Sequence, residues 1–397
     1  MFKSKPGVHP YRYGNKIELL RSGDQYFLKL LELIENAQNE IHLQVYIFEP
    51  DETGETVIEA LIIAANRGVK ISLVLDAYGS KNFNSDWLKK LSNHHIVVNF
   101  YSPIRFNNLF KMGLRMHHKI VCIDRKYALV GGINISNNYS FLDKKTPWLD
   151  YAIFIEGSLT ADINQICIET LRKAQGKKIK SKQHSLKPSI TEGPIIARVL
   201  QNNWSQAKLG ISKQYKSHIK NANEQITLVT SYFIPSITLI LLMKKAANRG
   251  VDIRIVLGAI SDVGLAKNAT DYLLNDLLKS GIKLYEWRES VMHAKLAIID
   301  NNTTIIGSYN LNHLSDFGSI ECNLEITDEA FCLKTKYEID EIIKNGCCEI
   351  TLNQIEKRQT FLANVKNIIS YFIFRIMLKF LFFLQNHNSS KKYIKYS

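Results

Sequence analysis

The strongest constraint in this sequence is internal repetition. Ala64-Ala65-Asn66-Arg67-Gly68-Val69 returns unchanged as Ala246-Ala247-Asn248-Arg249-Gly250-Val251. Each copy is followed by an isoleucine two residues on and then by Val74-Leu75 or Val256-Leu257. Upstream, Asn36-Ala37-Gln38-Asn39-Glu40-Ile41 has a counterpart in Asn221-Ala222-Asn223-Glu224-Gln225-Ile226. A longer pattern also recurs: His117-x-Lys119, Asp124, Gly131-Gly132-x-Asn134, and then His293-x-Lys295, Asp300, Gly307-Ser308-x-Asn310 at the same spacing. The copies lie about 180 residues apart, so a chain of 397 residues is an internal duplication of one unit.

Each unit alternates helical and strand patterns. Phe27, Leu30, Leu31, Leu33 and Ile34 have the spacing of a helix over Asp24 to Ala37, and Ile41 to Phe48 is strand-like. A second helix over Thr56 to Asn66 is stopped by Gly68, and strands follow at Val69 to Leu75 and Ile96 to Tyr101, with helical Trp87 to Ser92 between them. Such alternation implies an α/β layer structure. Division at the repeat gives halves 1–185 and 186–350, a lysine- and serine-rich linker over Lys173 to Pro188, and a separate tail, 351–397.

The recurring motif carries the chemistry. Side chains alternate along a strand, so His117 and Lys119 share a face and His118 points away. Lysine supplies positive charge, and histidine can attack phosphorus or carry a proton near neutral pH. The adjacent glycines admit close approach of backbone to a ligand, with Asn134 and Asn310 as further donors. Two copies supply two histidines, two lysines and two asparagines for binding an anion. The candidate catalytic set is His117, Lys119, Asp124, His293, Lys295 and Asp300; Asn134 and Asn310, with the lysines, are the candidate phosphate ligands. No H-E-x-x-H or cysteine cluster argues for a metal, so neither metal nor cofactor is expected.

The formal charge of +14 favours an anionic partner, a nucleic acid or an acidic membrane surface. The six cysteines show neither zinc-type pairing nor a disulfide framework, which suits a reducing cytoplasmic face. Met1 to Lys16 lacks an apolar core long enough for a signal peptide or anchor. Ser102 to Arg115 mixes Arg105, Lys111 and Arg115 with Phe106, Leu109 and Phe110, the composition of a rim loop touching headgroups or of a solvated basic loop. Phe361 to Leu384 is apolar but interrupted by Lys366, Arg375 and Lys379. Val365, Ile369, Phe372, Ile376 and Phe383 form a stripe at helical spacing, which fits a helix lying in a membrane interface better than a span, with packing on the protein's own core as the alternative.

The paired motif resembles the signature of the phospholipase D superfamily. Trp148-Leu149-Asp150 is similar to the Trp-x-Asp that follows the family's first motif, and Glu321 in Ile320-Glu321-Cys322-Asn323 to the glutamate after the second. The resemblance implies that Asp150 and Glu321 orient the histidines and that Asp124 and Asp300 are structural rather than catalytic. It implies two α-β-α sandwich halves about a pseudo-twofold axis, with one active site at their interface. Within the superfamily, Tyr13-Gly14-Asn15-Lys16-Ile17-Glu18-Leu19-Leu20, Leu75-Asp76-Ala77-Tyr78-Gly79-Ser80, Arg115-Met116-His117 and Lys357-Arg358-Gln359 look like bacterial cardiolipin synthases, particularly the B type. Asn312, His313 and Leu314 depart from the Asp-x-Arg that many of these carry after the second motif.

That resemblance implies transfer of a phosphatidyl group between two phosphatidylglycerol molecules through a phosphohistidine, with His117 as nucleophile and His293 as acid and base. Phosphatidylethanolamine is a possible donor. The expected partners are anionic phospholipids and a membrane surface, with no nucleic acid, and the expected location is peripheral, on the cytoplasmic side of a bacterial cell membrane. A phospholipase D that uses water as acceptor, a nuclease of the same superfamily and an inactive membrane scaffold are the competing readings.

Overall fold

The computed structural model describes residues 6–103, 114–140, 142, 146–177, 193–358 and 360–376. The first half runs β1 (Arg12–Arg21), α1 (Asp24–Glu35), β2 (Glu40–Val45), α2 (Glu52–Asn66), β3 (Lys70–Asp76), α3 (Ser85–Asn93), β4 (Val97–Tyr101), β5 (Arg115–Met116), β6 (Lys119–Ile123), β7 (Tyr127–Gly131), β8 (Tyr151–Gly157) and α4 (Thr160–Ala174). The second runs β9 (Ile195–Asn203), β10 (Lys208–Leu209), α5 (Gly210–Asn221), β11 (Gln225–Thr230), α6 (Ile237–Asn248), β12 (Asp252–Gly258), α7 (Gly264–Lys279) and β13 (Lys283–Trp287). It continues through β14 (Lys295–Ile299), β15 (Thr303–Gly307), α8 (His313–Phe317), β16 (Ser319–Thr327), α9 (Glu329–Gly346), β17 (Cys347–Ile350) and α10 (Leu352–Arg358).

Strand pairing shows the duplication directly. The first half is ordered β4-β3-β2-β6-β7-β8-β1, with β2, β3 and β4 parallel and the remaining pairs antiparallel. The second is ordered β13-β12-β11-β14-β15-β16-β9 with the same senses, and β17 adds beyond β13. β1 pairs antiparallel with β9, which joins the two series about the pseudo-twofold axis.

Alternation along the strands sets up three apolar layers. On β6, Val121 and Ile123 pack outward with Leu30, Leu43 and Leu73 under α1–α3, while Ile120 and Cys122 turn inward. The second half repeats this with Leu228, Ile255 and Leu273 under its own helices. The inner faces share one core, in which Ile120, Val130 and Ile153 meet Leu296, Ile306 and Leu324. Each such side chain contributes about 1.5–3 kcal/mol by leaving water, so separating the halves would expose the apolar layer that both depend on.

The repeated Ala-Ala-Asn-Arg-Gly-Val segment is structural. Gly68 and Gly250 sit at φ 94° and 92°, the left-handed conformation that ends α2 and α6. The Arg67 guanidinium donates to the carbonyls of Ile34 and Glu35 at 3.0 and 2.7 Å, and Arg249 to those of Lys220 and Ala222 at 3.0 and 2.9 Å. A cation thereby satisfies carbonyls left over at the end of the neighbouring helix.

Several expectations shift. α2 begins at Glu52 because Asp51 caps it, accepting from the Gly54 amide at 3.0 Å. β2 ends at Val45, freeing Tyr46 to turn toward His117. α4 reaches Ala174, and the linker beyond residue 177 lies outside the described residues, as do Arg105, Phe106, Leu109, Phe110, Lys111, Lys379 and Phe383. The chain start crosses to the second half, where Val8 joins the core and Gly7 accepts from the Gln201 amide at 2.7 Å. Residues 361–376 are helical, and Tyr371 and Phe374 join the second-half core. No helix among the described residues is long and apolar enough to cross a membrane.

Candidate active site

Each histidine is delivered on a segment that hydrogen-bonds to the opposite half. β5 pairs in parallel with β16, and the amides of His117 and His118 both donate to the Ile320 carbonyl, at 3.0 and 3.1 Å. Across the axis, the Leu149 amide donates to the Val291 carbonyl at 2.9 Å and the His293 amide to the Leu149 carbonyl at 2.8 Å. His117 therefore lies beside Glu321, and His293 beside Asp150. Each acid thus contacts the histidine of the other half.

His117 Nδ1 lies 3.1 and 3.0 Å from the two oxygens of Glu321, which also accept from Ser308 Oγ at 2.5 Å and Ser319 Oγ at 2.7 Å. His293 Nδ1 lies 2.6 Å from Asp150 Oδ2, and Asp150 Oδ1 accepts from the Tyr151 amide at 2.8 Å. A β-carbon on Gly132 would sit 2.3 and 2.4 Å from the Asp150 oxygens, so this glycine makes room for the carboxylate. With Nδ1 held by an acid, Nε2 is left on each ring for substrate.

The lysines complete the charge pattern. Lys119 Nζ donates to the His117 carbonyl at 2.6 Å and stands 5.3 Å from the centre of the Tyr46 ring. Lys295 Nζ lies 2.8 Å from His293 Nδ1 and 3.6 Å from Asp150 Oδ2, and also meets the His293 carbonyl. Burial, with repulsion from Lys295, pulls Lys119 down to about 7, and burial lowers Lys295 as well. An anion between them would offset that penalty. Burial lowers both histidines. It works to raise Glu321, but His117, Lys119 and Ser308 outweigh it and hold this carboxyl below its ordinary value.

Asp124 and Asp300 lie apart from the histidines and lysines. They sit past the far ends of β6 and β14, about 17 Å along the strand from each lysine at roughly 3.3 Å per residue. Asp124 accepts from the amides of Gln38, Asn39 and Glu40 at 2.7–2.9 Å, and Asp300 from those of Asn223, Glu224 and Gln225 at 2.9–3.1 Å. Each also opens a tight hairpin turn with two positive φ values, 52° and 57° at Asp124-Arg125 and 48° and 55° at Asp300-Asn301.

The asparagines hold loops. Asn134 Oδ1 accepts from the Ile47 amide at 3.1 Å and its Nδ2 donates to Tyr139 Oη at 3.0 Å, while Asn310 Oδ1 accepts from Ser231 Oγ at 2.8 Å. Arg115 turns inward to Asp76 (3.3 Å) and the Ser102 carbonyl (2.5 Å), so it braces β5 rather than standing free at the rim. His118 turns away from the site and meets Gln44 Oε1 at 2.9 Å.

Apart from Trp148, which the Trp-x-Asp likeness had named, sequence reasoning missed the aromatic walls. Tyr139 Oη lies 3.2 Å from His293 Nδ1, and the rings of Trp148 and Tyr232 lie 6.0 and 6.2 Å from that of His293. Tyr46 meets the His117 ring edge-on at 5.0 Å. Tyr139 and Tyr232 have no counterpart at the matching positions of the other half, where Ser315 and Ile47 stand, so repetition could not expose them. Ser308 was visible only as the residue replacing the second glycine of the motif.

Comparison with known proteins fits this geometry. The family profile described as "Cardiolipin synthase, PLD-like domain" matches twice, over residues 30–160 and 215–343, once on each histidine–lysine motif. The chain belongs to this phospholipase D-like cardiolipin synthase family. Among its members, cardiolipin synthase B of Salmonella typhi is 31% identical over 372 residues, covering 92% of this chain and 89% of the relative. Cardiolipin synthase 1 of Bacillus cereus is 29% identical, covering 86% of this chain and 69% of the relative. The crystal structure of phosphatidylserine synthase from Haemophilus influenzae superposes with a TM-score of 0.69 at 16% identity, over 93% of this chain and 95% of that one, and shows the shared fold.

Proposed function

We propose that this chain is a phosphatidyltransferase that makes cardiolipin from two phosphatidylglycerol molecules. One observation carries the reading: two histidines from opposite halves, each held at Nδ1 by a buried carboxylate of the other half, with two buried lysines beside them. Nε2 of His117 attacks phosphorus of the first lipid, and the bond to the glycerol headgroup oxygen breaks. His293, protonated at Nε2, gives that proton to the leaving oxygen and glycerol departs. A hydroxyl of the second phosphatidylglycerol then enters, and His293 takes its proton. The alcohol oxygen attacks phosphorus, the nitrogen–phosphorus bond breaks, and cardiolipin is released.

Lys119 and Lys295 offset the charge that accumulates on the phosphoryl oxygens in both transition states. Glu321 and Asp150 hold the tautomers and stabilise each histidine when it carries charge. No step requires a metal or a cofactor. The assignment of nucleophile and acid/base follows the family resemblance. We further infer that the partners are anionic phospholipids, and that the protein works peripherally on the cytoplasmic side of a bacterial cell membrane.

The test is product analysis with purified protein and phosphatidylglycerol labelled in both the phosphatidyl and glycerol parts. Cardiolipin and free glycerol in equal amounts are the expected products. Phosphatidic acid as the main product would replace synthase by phospholipase D. No turnover of lipid, with cleavage of a nucleic acid, would overturn the lipid reading altogether.

A further inference from the structure

The helix over residues 361–376 is two-faced. Asn367, Ser370, Tyr371 and Phe374 are buried, and the Tyr371 ring lies 4.7 Å from that of Tyr272 on α7. The opposite face carries Phe361, Leu362, Val365, Ile369, Phe372 and Ile376, all exposed, with Phe361 81% exposed and Ile376 63%. Their spacing keeps them on one stripe of the helix. Core packing and an outward apolar stripe, which stood as alternatives in the sequence, are therefore both present on one helix.

Charge indicates what covers the stripe. From Lys357 to the end of the sequence there are eight basic residues and no acidic one: Lys357, Arg358, Lys366, Arg375, Lys379, Lys391, Lys392 and Lys395. Within the helix, Lys366 is exposed, and the Arg375 guanidinium donates to Tyr371 Oη at 2.6 Å. An apolar stripe beside cations, with no anion nearby in sequence, complements an anionic, apolar-cored surface.

The seat of this helix connects to the cleft. α7 begins at Gly264, just after Asp262, whose carboxylate accepts from Tyr232 Oη at 2.7 and 2.8 Å, and the Tyr232 ring faces His293. Tyr272 lies eight residues along α7, about 12 Å from that rim at 1.5 Å per residue. We propose that the outward face of helix 361–376 docks on an anionic phospholipid bilayer, and that its seat on α7 holds the cleft in fixed register to the lipid surface. This rests on the phospholipid reading of the cleft and adds where the protein meets its substrate's membrane.

The test uses the full chain with Ile369→Asp and Ile376→Asp together, and separately Phe361→Asp with Leu362→Asp at the most exposed positions. Binding is read by co-sedimentation with vesicles of phosphatidylglycerol and phosphatidylcholine, and turnover on such vesicles and on detergent-dispersed phosphatidylglycerol. Both variants should lose vesicle binding and vesicle turnover about tenfold while turnover in detergent stays within twofold and the melting temperature is unchanged. Wild-type vesicle binding in either folded variant overturns the docking face. So does retained vesicle binding with a change from dimer to monomer, which would show a second copy covering the stripe. If one variant fails to fold, the other decides. Vesicle binding by the wild type without turnover in detergent would defeat the phospholipid-substrate reading and leave the docking face standing.

Discussion

The two halves build the same histidine–carboxylate contact from different parts. In the first half the acid is the short Asp150, and Gly132 leaves space for its carboxylate. In the second the acid is the longer Glu321, and Ser308, at the position matching Gly132, fills the space and donates a hydrogen bond to it. Ser319 adds a second bond on that side, and Tyr139 approaches His293 on the other. The first half also ties its histidine segment down with Asp76, which accepts from the Met116 amide at 2.8 Å, whereas Gly258 stands at the matching place in the second. Duplication supplied the framework, and divergence gave each histidine its own surroundings, which suits the distinct roles proposed for them.

The largest test of that comparison removes either histidine. His117→Ala and His293→Ala should each lower cardiolipin formation by on the order of 10⁴-fold with the fold intact by circular dichroism. Phosphorylated peptide recovered from His293→Asn with labelled substrate should contain His117; label on His293 of His117→Asn instead would exchange the two roles. The next test compares matching positions. Gly132→Ala forces a methyl into the Asp150 carboxylate and should cost about 10²-fold in kcat. Ser308→Ala removes one hydrogen bond to a charged acceptor and should cost only roughly tenfold. Equal losses would mean that the two acids are held alike.

The lysines can be read without turnover. Burial and the neighbouring Lys295 pull Lys119 down to about 7, and a bound anion should restore its proton. Sulfate, dianionic across the range, should bind at pH 8 with proton uptake, seen by calorimetry in buffers of different ionisation heat, and Lys119→Met should abolish that uptake. Buffer-independent heats at pH 8 in the wild type would contradict the depressed lysine. Tyr139→Phe removes a hydroxyl that touches His293 but not His117, together with the acceptor of Asn134 Nδ2. It should lower kcat roughly threefold to tenfold and displace one limb of the pH–rate profile, whereas a merely structural role would leave the profile in place. The smallest effect on turnover should come where the halves agree. Asp124→Ala and Asp300→Ala should each cost about 1–2 kcal/mol of stability by denaturant unfolding and leave kcat unchanged.

Much of the site could be read in advance because it is local. The order strand, turn, strand and its repeat in the second half follow from periodicity and motif spacing. Residues that act through a single distant contact could not be read this way. Tyr139 and Ser319 carry no signature of their own, and Arg115, basic and next to a basic loop, suggested a rim until Asp76 was seen beneath it. Asp124 belongs to the motif by spacing, yet rise per residue carries it to the other end of the strand, where backbone amides await it.

The sequence by itself determined the duplication, the α/β layering and the two histidine–lysine pairs, because these rest on short-range periodicity and on recurrence; the two candidate acids came from the family resemblance. Only the tertiary structure decided that Glu321 contacts His117 and Asp150 contacts His293, across 204 and 143 residues. Along the chain each acid is much nearer to the histidine of its own half. The choice is made by the shared core of Ile120, Val130 and Ile153 against Leu296, Ile306 and Leu324, which sets β5 beside β16 and Leu149 beside Met292. That core forms only when both faces leave water together, a condition on the whole molecule that no local pattern records.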